Sequence, residues 1–524
     1  MGPQARSRLE RRVHALRRGL RGARGRGAAV LVLLLLVPLG LTLVLRSVPA
    51  LDPMFESPRF HIVVVSAIAL CALVVALLTS LSAARAKLPA AVLLAVGCVA
   101  VGLLMSAHGM TTPGIGGRGF SFWVVRFPVL ALAAFALCLA TAAGREDGLP
   151  KRLAGRFPIA GIALATGLLA LGSLYLVARP HALAGTRPIP GEQLITWIVL
   201  GGTIVTLLGT GAVHWHRWRL GRDRVQLGLM AAAWLSANAA VALEIGHLWR
   251  VSWWDYHVYL LAGFAAAAWA VVTESRRARS IRGALASVSI NDPIEHISRG
   301  HPEAMDALVG AVEAKDRHMR GHSSRVAEIA LRVGLRLDLG PDELRGLAQG
   351  AFLHDIGKIG VPDEVLNKRG RLTREDWSWI EQHPIIGGEM AGRAPSLHDS
   401  LAVIRHHHER WDGSGYPDRL AGEDIPIAAR IATIADVWDA LTSDRSYRPA
   451  WPMDRALAHI GGAAGRLFDP LTVEAFFDVL LDQGLWPERT RPDLETLTAM
   501  AEACHPRSNG HAAGASAATP RRSA

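Results

Sequence analysis

Residues 88–107 read LPAAVLLAVGCVAVGLLMSA, twenty positions without a charge or a strand-like alternation. At ~1.5 Å per residue, a helix needs about 20 apolar residues to cross a bilayer core, so this stretch predicts a membrane span. Comparable runs cover 28–45, 61–81, 121–142, 158–178, 194–213, 226–248 and 254–273, giving about eight spans. The first run follows an Arg-rich leader. It is too long for a signal-peptide core, and Arg46 stands where a small-residue cleavage site belongs, so it reads as a retained span.

Charge separates the chain into two halves. Of 524 residues, 50% are hydrophobic and 19% charged, which excludes a disordered or fibrous protein. The net charge of +12 invites a nucleic-acid partner, yet residues 1–283 carry 30 Lys/Arg against 10 Asp/Glu and the remainder 27 against 35. The basic half is the apolar half, so no nucleic acid polymer is expected. Loops on the N-terminal side of the spans carry 23 Lys/Arg and those on the other side 7. The positive-inside rule then places both termini in the cytoplasm of a multi-pass protein of the cell membrane.

Few ionisable residues lie in the spans. Glu244 and His247 in the seventh are a helical turn apart and are expected to share one face, beside Trp249, Trp253 and Trp254; His257 begins the eighth. Cys71, Cys98 and Cys138 lie in apolar runs, Cys504 lies in a polar tail, and no CxxC pair exists. Any metal must therefore be held by His and carboxylate.

Beyond the eighth span, residues 274–302 read as a basic juxtamembrane linker with Arg276, Arg277, Arg279 and Arg282 against anionic headgroups. A helical continuation of the eighth span through this linker is one expectation. A passive tether is the other, favoured by Gly283 and Pro293. Ala304, Leu308, Val309, Ala311 and Val312 recur at helical spacing, and that period dominates to about 482, so residues 303–490 form an all-α soluble domain. The leader 1–27 and the tail 491–524 are expected to stay outside the folded parts, the tail as a largely disordered segment. The fold class expected is thus all-α: a polytopic helical membrane domain, then a cytoplasmic helical bundle.

The polar half holds 13 of the 21 histidines. His318 and His322 are spaced i,i+4, which on a continuous helix puts both on one face, with Arg325 near the same stripe. His354-Asp355-Ile-Gly-Lys358 follows, and there Lys358 is i+4 from His354 and i+3 from Asp355. Next come His383-Pro384, the run His406-His407-His408-Glu409, the loop Gly413-Ser-Gly415-Tyr416-Pro417, and Asp436 within Ile434-Ala-Asp-Val-Trp-Asp439. Glycines allow that loop tight turns, and Pro417 biases Tyr416 toward extended backbone.

In this order the pieces resemble the HD-GYP family, a branch of the HD-domain metal phosphohydrolases. The resemblance covers about 303–480 and says nothing of the membrane half. It implies metal ligands at His322, His354, Asp355, His383, His407, His408 and Asp436, with Asp355 bridging two ions. His318 falls where some members place an extra ligand for a third ion. His/carboxylate ligation favours iron or manganese over thiolate zinc. Paired divalent ions make hydroxide available at neutral pH, so no Ser or Cys nucleophile is required. The resemblance further implies hydrolysis of cyclic di-GMP to pGpG, and onward to GMP, by a phosphoric diester hydrolase. Asp355 and Lys358 would be catalytic, with Lys358, Arg445, Gly413, Gly415, Tyr416 and Pro417 on the substrate and a homodimer as the working unit. Alternatives are a phosphohydrolase for another cyclic dinucleotide or nucleotide, a receptor that binds cyclic di-GMP without cleaving it, and a transporter suggested only by the eight spans.

Overall fold

The computed structural model describes residues 26–484 except 87, 114–122, 145–147, 180–191, 279, 281–283, 286–287, 289–291, 300–302, 317–320, 369 and 445–448. His318, Arg445, most of the leader and the whole of 491–524 lie outside the described residues. Among the described residues there are helices, turns and two isolated bridges, and no strand. The chain divides into two compact units, the first ending at His301 and the second starting at Pro302, with Gly340–Arg345 counted in the first.

In the first unit, eight helices are long and apolar enough to cross a membrane: Ala29–Ser47, Pro58–Leu81, Pro89–Met110, Arg126–Ala143, Pro158–Ala178, Gln193–Gly221, Arg224–Ile245 and Val251–Arg277. The third and seventh are the most enclosed. Small residues bring the seventh and eighth together: a Cβ on Gly228 would meet Ala270 Cβ at 2.6 Å, and one on Gly263 would meet Ala232 Cα at 3.2 Å. In lipid, backbones approach on small side chains because no hydrophobic drive separates helix from solvent. The fifth helix turns Leu164, Leu168, Leu171 and Leu174 outward, the pattern of a lipid-facing span.

Two expectations fail in this unit. The seventh helix ends at Ile245, so Glu244 and His247 do not share a helical face. Glu244 instead accepts the Trp197 indole N–H at 2.6 Å. Nor does the eighth helix run on through the linker. It stops at Arg277, Ser280 is already in a bend, and a separate helix spans Pro293–Arg299. Asp292 caps that helix, its carboxylate accepting the Ile294 N–H at 2.9 Å. Leu285 and Val288 are buried in the apolar core of the membrane unit rather than exposed as a tether requires.

The second unit is a helical bundle. Its first helix, Glu303–Lys315, buries Met305, Val309 and Val312 against Leu353, Ile356, Ala391 and Ile404. Those three positions are spaced i, i+4, i+7, whereas Leu308 and Ala311 of the expected apolar set point to solvent. Helix His322–Arg336 packs between Ile427–Thr442 and Pro470–Asp482. Helix His383–Gly392 packs on the 3-10 turn Ile356–Gly360 and on Leu401–His406. The bundle thereby collects the ends of five segments at one place.

Candidate metal centre

Each proposed ligand sits at an element's end or on a buried face. Gly321 adopts the left-handed conformation (φ 71°) and His322 opens the next helix. The first helix ends at Lys315, and His318, paired with His322 at i,i+4 in the sequence, lies outside the described residues. Glycine tolerates the left-handed turn that sets the start of the helix at His322. His354 and Asp355 follow the last turn of Pro341–Leu353, and His383 begins its helix. His407 and His408 lie in the turn after Leu401–His406, and Asp436 lies mid-helix.

Side-chain donors converge from all of these segments. Asp355 Oδ1 is 3.2 Å from His383 Nε2, and Oδ2 is 3.2 Å from His354 Nε2 and 2.9 Å from Lys358 Nζ. His383 and His407 approach Nε2 to Nε2 at 3.2 Å. Asp436 Oδ1 lies 3.3 Å from His322 Nε2. One group of four, Asp355, His383, His407 and His408, and one of three, His322, His354 and Asp355, each have ligand atoms within 4.8 Å of one another. Asp355 belongs to both.

The donor set can be tested for a cation by following protons. His354 Nδ1–H donates to Ala351 O (2.7 Å), His383 Nδ1–H to Ile380 O (2.6 Å) and His407 Nδ1–H to Ile404 O (3.0 Å). A carbonyl can only accept, so each of these nitrogens carries the proton and each neutral ring leaves Nε2 bare. Two bare Nε2 atoms then face each other at 3.2 Å, and the buried His354 Nε2 has no hydrogen bond at all. Lone pairs so arranged repel and stay desolvated without a cation between them. The residues fit divalent metal ions.

Electrostatics agree. Burial, then the neighbouring imidazoles of His408 and His354, hold His407 well below the usual imidazole range; burial with His383 pushes His408 down to about 3. Burial disfavours the Asp355 carboxylate, but the Lys358 ammonium 2.9 Å away keeps it ionised well below the usual range. Asp436 is likewise lowered, burial being outweighed by its bond to His322. Neutral imidazoles and ionised carboxylates are the forms that bind metal.

His322 differs. Burial opposes its charge, yet hydrogen bonds to Asp436 and Asp439 raise it to about 9. Without metal it therefore holds a proton at neutral pH, which a cation must displace. Apparent metal affinity should rise from pH 6 toward 9, by up to about tenfold per unit for one displaced proton, and level off above. Chelator-competition titrations across that range read this directly, and a flat profile would remove His322 from the ligand set.

Two supporting residues, Asp439 and Asp316, were not among the site residues expected from sequence. Asp439 accepts His322 Nδ1–H at 2.7 Å and both Arg325 Nε–H and Nη2–H, at 2.5 and 3.0 Å. It lies one turn beyond Asp436, and that i+3 spacing was the available signal. Asp316 lies 3.3 Å from Lys358 Nζ, so this ammonium is held between two carboxylates. Burial lowers the Lys358 pKa, but Asp355 and Asp316 carry it above the usual lysine range.

Glu409, next to the histidine pair, points away from the donors. Its carboxylate accepts the Asp418 N–H (2.7 Å) and Leu420 N–H (3.1 Å), pinning the Gly413–Pro417 loop. The Tyr416 ring lies over His408, centroids 4.8 Å apart. Gly413 is left-handed (φ 77°), and a Cβ on Gly415 would crowd the Glu409–Arg410 backbone. His406 faces Asp418 at 3.5 Å, outside both donor groups.

A protein-family model described as HD domain matches residues 307–471. The second unit contains an HD domain. His322, His354, Asp355, His383, His407, His408 and Asp436 all fall inside that HD domain, as do Lys358, Asp439 and Tyr416. The chain is also similar to curated proteins. It is 43% identical over 175 residues to the cyclic di-GMP phosphodiesterase response regulator RpfG of Xanthomonas campestris, covering 33% of this chain and 46% of that one. Identity is 38% over 173 residues to 3'3'-cGAMP-specific phosphodiesterase 2 of Vibrio cholerae, covering 33% of each. It is 37% over 176 residues to a cyclic di-GMP phosphodiesterase of Thermotoga maritima, covering 33% of this chain and 48% of the relative. The chain thus spans half or less of the length of these relatives.

Proposed function

We propose that this chain is a membrane-anchored, metal-dependent phosphodiesterase that hydrolyses cyclic di-GMP to pGpG and onward to GMP. The observation that carries this is the pair of donor groups sharing Asp355 beside the pinned Tyr416 loop. The names of the similar proteins support the substrate class. In this reading residues 28–273 form the membrane domain, 274–302 the connection and 303–490 the catalytic domain, with both termini cytoplasmic and a homodimer as the unit.

His322, His354, Asp355, His383, His407, His408 and Asp436 would hold two ions, iron or manganese, with His318 available to a third. When bound, such ions lower the pKa of water and accept charge from phosphate oxygens. The chain's own residues do the rest. The carbonyl-fixed Nδ1–H groups keep the imidazoles oriented, so no rotamer search precedes loading. Asp439 holds the His322 ring and is itself held by Arg325. The Tyr416 loop supplies a stiff wall over His408 against which a guanine or ribose can lie. Lys358 adds a positive charge beside the centre, aimed at the phosphate.

Lys358→Ala tests that last role. Removing a cation next to the donors cannot weaken cation binding electrostatically, so metal content should hold while kcat/KM falls on the order of a hundredfold. Metal depletion in this variant would show that Lys358 acts by holding Asp355 and Asp316 in place.

A second substrate has a specific observation behind it, the 38% identity to a cGAMP-specific phosphodiesterase. One experiment separates the readings: metal-loaded full chain in detergent with radiolabelled cyclic di-GMP and 3'3'-cGAMP, products resolved by chromatography. Preferential conversion of cyclic di-GMP to pGpG supports the proposal. Preference for cGAMP supports the second substrate, and retention of both uncleaved would make the chain a receptor.

A further inference from the structure

Three histidines outside the HD domain meet in the transmembrane unit. His61 lies near the start of the second helix, His108 near the end of the third and His257 near the start of the eighth. All three are buried. His61 Nε2 is 3.1 Å from His108 Nε2 and 2.8 Å from His257 Nε2, and ligand atoms of the three lie within 4.8 Å of one another. The apolar runs gave no hint of this, because each histidine sits alone at the edge of its own run.

Proton accounting again identifies what the cluster lacks. His108 Nδ1 is 2.7 Å from Val124 O, which can only accept, so His108 Nε2 is bare in the neutral ring. Thr112 Oγ1–H donates to His108 O at 3.2 Å. When that hydroxyl accepts from His61 Nδ1–H at 2.9 Å, His61 Nε2 is left bare as well. Two unprotonated nitrogens consequently face each other at 3.1 Å. The Tyr256 hydroxyl, 3.0 Å from His108 Nε2, can supply one proton. His257 Nε2–H can supply another to His61, but His257 also meets the Trp253 carbonyl, which can only accept, and a proton held there leaves its Nε2 bare. In that protonation state three bare Nε2 atoms converge beside the Tyr256 hydroxyl, an arrangement that buried polar atoms rarely keep without a further partner.

A cation between the three Nε2 atoms satisfies all of them. Nitrogen ligands at ~2.05 Å in a tetrahedron stand about 3.3 Å apart, close to the 2.8 and 3.1 Å seen. The outer bonds to Val124 O and Thr112 are the carbonyl and hydroxyl contacts that orient ligating imidazoles elsewhere. The surroundings are stiff. Asp52 accepts the Ser252 N–H and Oγ–H at 2.7 and 2.9 Å, tying the loop before the second helix to the start of the eighth. The Trp253 ring packs 4.7 Å from that of His257.

We infer that His61, His108 and His257 form a second metal site, in the transmembrane unit, for a late first-row divalent ion such as zinc or copper. Three neutral imidazoles without a carboxylate select that class over magnesium, calcium or manganese. A water or the Tyr256 oxygen completes the four-coordinate shell. The eighth helix, which carries His257, is also the one from which the chain continues to the HD domain.

The test uses the full chain in detergent and zinc alone as probe. After dialysis against buffered zinc, the unaltered chain should hold one equivalent more than His61→Asn/His257→Asn. Equal zinc in the two overturns the inference. Because that double variant removes buried groups, a second measurement leaves the triad untouched. The full chain carrying Asp355→Ala, stripped of its HD-domain metal, should bind one cobalt ion with the intense visible bands of a four-coordinate nitrogen site. Absence of bound cobalt, or only the weak bands of a six-coordinate ion, also overturns it.

Discussion

Replacing Asp355 with alanine is expected to remove metal and turnover together while leaving the helices in place. Among the described residues Asp355 is the member shared by the two donor groups, one oxygen reaching His383 and the other His354 at 3.2 Å each. Without them the centre keeps its neutral imidazoles but loses the anion between them, and Lys358 is left facing those rings. Repulsion replaces attraction for any cation entering there. The loss should exceed a thousandfold in kcat/KM, about 4 kcal/mol of barrier, with metal per chain falling in parallel. Stability should change far less. Asp355 lies at the start of a 3-10 turn rather than in the apolar core, and Lys358 retains Asp316 as a partner at 3.3 Å. Helical circular dichroism and the thermal midpoint of the metal-free chain check this half. Full activity with full metal content would overturn the assignment of the centre.

How much of this was legible before the structure depends on which interactions are local. The eight spans were readable because lipid imposes length and apolarity residue by residue. The seven proposed ligands could be named because they recur in short strings, such as His354-Asp355 and His407-His408, whose order is distinctive. What stayed hidden depends on geometry between segments or on one dihedral angle. Gly321 at φ 71° starts a new helix at His322, and no periodicity announces it. Asp439 looked like any acid on a helix until Arg325 and His322, more than a hundred residues earlier, closed on it. Val309 and Val312 were legible as core, but Leu308 was not legible as exposed, since only the packing of Leu353 and Ile404 decides which stripe is covered. His61 and His108 were missed for the same reason, each being a single polar residue at the end of an apolar run.

The clearest case of a residue that matters through its neighbour is Gly357, and Gly357→Ala is expected to cost both fold and metal. A Cβ there would fall on the carbonyl oxygen of His383 and 2.6 Å from Gly387 N. Those are backbone atoms, so no rotamer change can relieve the clash, and the 3-10 turn must separate from helix His383–Gly392. The first carries Asp355 and the second His383, so separating them opens the 3.2 Å contact on which one donor group depends. Overpacking against backbone should destabilise the HD domain by about 3 kcal/mol. Metal per chain should fall with it, although no ligand has been touched. Gly360→Ala is the control three residues on. Its Cβ would meet Ile386 Cδ1 at 2.9 Å, the far end of a flexible side chain, and a shift of that side chain relieves it for about 1 kcal/mol or less. Thermal midpoints and metal analysis of both variants decide the matter. If Gly357→Ala melts and loads like the unaltered chain, the close approach of turn and helix is not what holds Asp355 against His383.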